Sequence, residues 1–161
     1  LGSNSKLYLI VKMYDELTIR DDWILKLIYN DADATDDKTN YIILKRGETV
    51  KMPVRVIINH YKTQKFYGPI LHTFSKDVSN LIYSYVASNG IANGEYLFGD
   101  NKLSKFIYQT NKRLGLKVGI TQMRIMKITE NKEASAKERI ELAKMMAHTT
   151  DTQRTYINTS N

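Results

Sequence analysis

Apolar positions recur at helical spacing from the start of the chain. Leu7, Ile10, Val11, Tyr14 and Leu17 fall on one face of a helix over residues 5–16, which Asn4 or Ser5 can cap. Trp23, Ile24, Leu27 and Ile28 give an apolar face to a second, shorter helix over residues 21–28. Residues 30–40, rich in Asp, Thr and Asn, predict a loop. The pattern then turns to strands. Residues 41–44 are apolar and β-branched, Gly47-Glu48 supports a turn, and residues 54–61 and 66–74 read as two further strands. The polar tip Lys62-Thr63-Gln64-Lys65 joins these two.

Beyond them the spacing is helical again. Ser75 can cap a helix through residue 87, with Val78, Leu81, Ile82 and Tyr85 inward. A Gly/Asn-rich loop over residues 88–100 precedes helices over residues 102–114, 121–131 and 136–147, and a short segment over 152–158. This order predicts an α+β domain, mostly helical, with a small three-stranded antiparallel sheet. The first three residues, Leu1-Gly2-Ser3, read as a cloning scar, leaving residues 4–161 as one domain.

Composition narrows the chemistry. Cysteine is absent, which removes disulfides, thiolate metal sites and cysteine nucleophiles. His60, His72 and His148 are not spaced as metal ligands, so neither a metal nor another cofactor is expected. No apolar run approaches the roughly 18–20 residues needed to cross a bilayer. A net charge of +7 and a pI near 9.4 favour a polyanionic partner, although many basic proteins have none. Gly90 and Gly94 stand in a loop rather than between strand and helix, so no phosphate-cradling motif is present, and no Gly-x-Ser-x-Gly elbow occurs. Asp31, Asp33, Asp36 and Asp37 lack the spacing of a calcium loop and read better as a solvated acidic loop.

The C-terminal section carries more information. A helix containing Arg139, Leu142, Ala143, Met145 and Met146 runs into Ala147-His148-Thr149, and Tyr156 follows His148 by eight residues. This resembles the ending of tyrosine recombinases of the phage-integrase family, where a histidine closing such a helix precedes a nucleophilic tyrosine. Ala147 stands where that family usually has glycine, and Thr149 where it usually has serine. Leu17-Thr18-Ile19-Arg20-Asp21-Asp22-Trp23 is similar to the segment of the first active-site arginine. Tyr61-Lys62-Thr63-Gln64-Lys65-Phe66-Tyr67-Gly68 resembles the hairpin bearing the catalytic lysine. Thr121-Gln122-Met123-Arg124 occupies the place of a His-x-x-Arg motif, with threonine for histidine.

The resemblance spans roughly residues 7–158 and implies a metal-independent enzyme that cuts and rejoins double-stranded DNA through a 3′-phosphotyrosine. Tyr156 would be the nucleophile; Arg20, Arg124 and His148 would hold the scissile phosphate. Guanidinium groups offer paired N–H donors matched to the charge that develops on phosphate oxygens. An ammonium among guanidinium groups gives up its proton more readily, so a lysine can protonate the leaving 5′-oxygen. Lys62 is the first choice and Lys65 the second. Lys65, Thr121, Lys127, Arg139 and Arg154 are the further candidates for DNA contact.

Each residue also has a plainer reading. Tyr156 is one of eleven tyrosines. His148 can be a helix-end histidine, Arg20 an ion-pair partner of Asp15 or Glu16, Arg124 a solvated helix residue, and Lys62 and Lys65 ordinary tip residues. The resemblance further implies an N-terminal core-binding domain outside this chain and a homotetramer on paired DNA sites when full length. The bias toward Ile, Lys, Asn and Tyr suggests a large DNA virus, a virophage or a mobile element, with intracellular action on viral or host DNA. Three other readings stay open: a type IB topoisomerase-like activity, a DNA-binding module without catalysis, and a generic basic helical domain whose match is accidental.

Overall fold

The computed structural model describes residues 3–18, 23–45, 47, 50–99 and 103–113. Helix α1 (Ser3–Glu16) leads through a connection to strand β1 (Leu25–Ile28), and β2 (Asn40–Ile43) and β3 (Arg55–Ile58) follow. A one-turn helix, α2 (Gln64–Tyr67), precedes β4 (Ile70–Thr73), after which come α3 (Lys76–Asn89) and α4 (Leu103–Arg113). The fold is α+β, with a four-stranded mixed sheet in the order β1-β2-β3-β4.

The three-stranded antiparallel expectation is therefore corrected. β2, β3 and β4 pair antiparallel, and β1 adds to β2 in parallel. Residues 25–28, expected to be helical, are the fourth strand. Trp23, Leu25 and Leu27 are fully buried while Ile24 and Lys26 between them are not, the alternation of a strand. The apolar spacing of this segment satisfies either period over so few residues; backbone partners decide. On one side β1 bonds β2. On the other, Leu27 donates to Glu95 O (2.8 Å) and Leu97 donates to Leu25 O (2.9 Å).

The sheet faces differ. Leu25, Leu27, Ile42, Val56, Ile58 and Ile70 point to the main core, beneath α1, α3 and α4. Ile28, Tyr41 and Ile43 point to the opposite face, where Ala34 and Ile57 pack on them. The loop of residues 30–39 thus packs on that face through Ala34, and Tyr41 Oη accepts the Asp36 N–H to hold the loop there (3.1 Å).

Helix α3 has the expected start. Ser75 is its N-cap and its Oγ accepts the Val78 N–H (3.3 Å). It ends at Gly90, whose φ of 59° lies in the left-handed region, and the Ile91 N–H returns to Val86 O (3.1 Å). The helix expected over residues 102–114 is α4. Those expected over 121–131, 136–147 and 152–158 lie outside the described residues.

Candidate nucleic-acid interface

The register fixes what gathers at one end of the sheet. Leu25 pairs with Asn40, Tyr41 with Ile57, and Ile58 with Ile70. Leu25, Asn40, Ile58 and Ile70 therefore form one row across the four strands. The chain enters β1 at this end from the Arg20 connection, and leaves β3 at this end toward Lys62. Adjacent strands lie about 4.8 Å apart, so β1 and β3 are separated by roughly 10 Å here.

Two asparagines brace the same end. The Asn40 side chain accepts the His60 N–H (2.7 Å) and donates to His60 O (3.1 Å), extending the β2–β3 pairing beyond the strands. Asn59 donates from Nδ2 to Thr39 O (2.8 Å). Both side chains are buried, and a buried amide is tolerable when its hydrogen bonds are met in this way. Sequence reading assigned neither a role; an asparagine flanking a strand is an ordinary turn signal, and only the pairing distinguishes it.

The tip itself is not the open hairpin that residues 62–65 suggested. Part of it is α2, and β4 begins only at Ile70, later than the expected start at residue 66. The Phe66 N–H donates to Thr63 O (3.0 Å), and the Gly68 N–H donates to Gln64 O (2.8 Å). Tyr61 is buried, and its hydroxyl donates to Gly68 O, closing the loop from inside. Gly68, at φ 67°, turns the chain into Pro69 and β4, a conformation favoured by the absence of a Cβ.

Lys62 and Lys65 are both exposed on this tip, and among the described residues neither is in an ion pair. Other cations are already engaged. Lys45 (3.2 Å) and Arg55 both bind the Asp31 carboxylate. The hydrogen bond from Lys45 is the leading cause that holds Asp31 below the usual carboxylate range, with Arg55 assisting. Lys6 lies over the Phe106 ring at 4.4 Å, and burial lowers its pKa. The acidic loop is thus partly a structural brace: Asp31 ties β3 to the segment that follows β2, and Asp36 accepts from Lys38 N–H (2.9 Å) and Thr39 Oγ1 (2.6 Å) within its own turn.

Of the expected site residues, Lys62 and Lys65 are described and stand together on the tip. Arg20 falls in the connection between α1 and β1, outside the described residues. Thr121, Arg124, Lys127, Arg139, His148, Arg154 and Tyr156 also lie outside them. Among the described residues no helix is long and apolar enough to cross a membrane. Comparisons with protein-family models, curated proteins and solved structures found no match for this chain.

Proposed function

We propose that this chain is the catalytic domain of a tyrosine recombinase, cleaving and rejoining double-stranded DNA through Tyr156. The observation that carries the reading is the register of the sheet. Leu25, which receives the chain from Arg20, shares a row with Ile58, which sends the chain to Lys62. Two stretches far apart in sequence, one holding a guanidinium and one an ammonium, thus meet the sheet at the same end.

That convergence suits phosphodiester chemistry. The phenol of Tyr156 gives up its proton, to His148 or to water, as its oxygen attacks phosphorus; the bond to the 5′-oxygen breaks, and that oxygen takes a proton from Lys62. Arg20 and Arg124, with His148, bear the charge on the non-bridging oxygens. Removing one such preorganised donor costs on the order of 10²–10³ in rate. Religation reverses the steps, because the phosphotyrosine conserves the bond energy. A braced tip with exposed lysines supports this reading, as does the net charge of +7. Action as a homotetramer on paired DNA sites follows from the same reading.

Covalent trapping tests it. Nicked duplexes, on which the cleaved end diffuses away, are incubated with the protein and resolved on a denaturing gel. Wild type should form a protein–DNA adduct and Tyr156→Phe none. An adduct that persists in Tyr156→Phe, or none with wild type while duplex binding is intact, defeats the proposal.

A further inference from the structure

The geometry points to Phe66 as a stacking wedge that enters the DNA base stack beside the phosphates held by Lys62 and Lys65. This inference rests on the DNA-binding part of the proposed function, not on the cleavage chemistry. Three observations coincide at the tip. Phe66 is 79% exposed, more than any other large apolar side chain among the described residues. It sits next to Lys65 and four residues after Lys62, two exposed cations without described ion pairs.

The third is that the tip is pinned. The Phe66 N–H is bound to Thr63 O, the Gly68 N–H to Gln64 O, and the Tyr61 hydroxyl to Gly68 O. A ring on a slack loop could fold back onto nearby apolar surface. Here the backbone carrying it is fixed, and the ring stays in water.

An isolated exposed apolar residue is ordinary on a protein surface. A ring projecting from a fixed, basic tip has a more specific fit. Nucleic acid offers both complements within one step of its helix: phosphates for the lysines and base faces for the ring. Apolar wedges are a recurrent means of unstacking a base step, and an aromatic on a base face is tolerant of sequence. TA steps unstack most readily, so they are the preferred point of entry.

Fluorescence and affinity on one substrate test the inference. A short duplex rich in TA steps, with adenines replaced by 2-aminopurine, brightens when those bases unstack. Wild type should bind and brighten it. Phe66→Ala should bind roughly 5- to 150-fold more weakly, the range for losing one base–aromatic stack. It should fail to brighten the probe at saturation, with an unchanged salt dependence because no phosphate contact is lost. Lys65→Ala should instead lower the log–log salt slope by about 0.9 while still brightening the probe.

Phe66→Trp guards against a misfolded tip. It should restore binding, and its exposed indole emission should be quenched by DNA; the buried Trp23 supplies a constant background. Phe66→Ala with wild-type affinity and wild-type brightening overturns the inference. So does an indole in Phe66→Trp that DNA leaves unquenched. Binding and brightening without a Tyr156 adduct would end the recombinase reading and leave the wedge standing, whereas an adduct with no effect of Phe66→Ala would do the reverse.

Discussion

The Glu16 carboxylate, at the end of α1, accepts the backbone N–H of Ser75 at 2.9 Å, joining residues 59 apart in the chain. Ser75 is the N-cap of α3, so one anion fastens the end of one helix to the start of another, where the helix dipole favours it. His72 on β4 places Nε2 at 3.6 Å from the same carboxylate, outside hydrogen-bond range. The clasp immediately precedes the connection that carries Arg20.

Glu16→Ala should therefore lower stability by about 1.5–3 kcal/mol, the range for hydrogen bonds to charged groups. Glu16→Gln keeps an acceptor and should lose less. Urea denaturation followed by circular dichroism measures both. A loss within about 0.5 kcal/mol for Glu16→Ala, typical of a neutral surface change, would show that the clasp does not hold α1 to α3.

Tyr83 anchors α3 to the connection between β2 and β3. Its buried hydroxyl lies 2.8 Å from Lys45 O and 2.9 Å from Met52 O, so its one proton is shared between two carbonyls. Tyr83→Phe removes that donor from both and should cost about 1–3 kcal/mol. Backbone amide exchange around residues 45–52 should accelerate more than at β3. Uniform acceleration across the sheet would instead indicate only global destabilisation.

Asp31 should make a pH-dependent contribution of definite sign. Its pKa is lowered by the Lys45 hydrogen bond first and by Arg55. A depressed carboxylate stabilises the fold above its unfolded pKa of about 3.9, and that contribution is lost as pH falls through the lower folded value. The group is largely exposed, so solvent screening keeps the effect below about 1 kcal/mol. Thermal melts of wild type and Asp31→Asn should differ at pH 6 and converge toward pH 2. A constant difference across that range would assign the effect to something other than ionisation.

Lys62 is expected to act as a general acid, and a sulfur substitution isolates that role. Lys62→Ala should slow adduct formation by about 10²–10⁴ on ordinary nicked DNA, the usual weight of proton transfer. With a bridging sulfur in place of the 5′-oxygen, the leaving thiolate needs no proton, and the variant should approach the wild-type rate. Equal impairment on both substrates would make Lys62 a binding residue only.

Much of the architecture was legible from local pattern. Helical spacing and Ser75 located α1 and α3, apolar β-branched runs located β2 and β3, and the end of residues 54–61 located the tip. These features depend on contacts within a few residues, so periodicity and capping carry them. The candidate chemistry was legible only through a resemblance: the order of Arg20, Lys62, Arg124, His148 and Tyr156 raises a hypothesis, and no spacing along a chain establishes that five groups face one phosphate.

What tertiary structure alone decided is the fate of residues 23–28 and of the tip. Trp23, Ile24, Leu27 and Ile28 suit one face of a helix, yet Leu25 and Leu27 find backbone partners on β2 and residues 94–97. Those partners lie far along the chain, and unpaired backbone groups weigh more than a short run's intrinsic preference. Likewise Tyr61 is buried and its hydroxyl donates to Gly68 O, closing the loop that contains α2 while Phe66 is left in water. The sequence determined which segments seek a core; long-range backbone pairing determined which period each one adopts and which side chains were left outside.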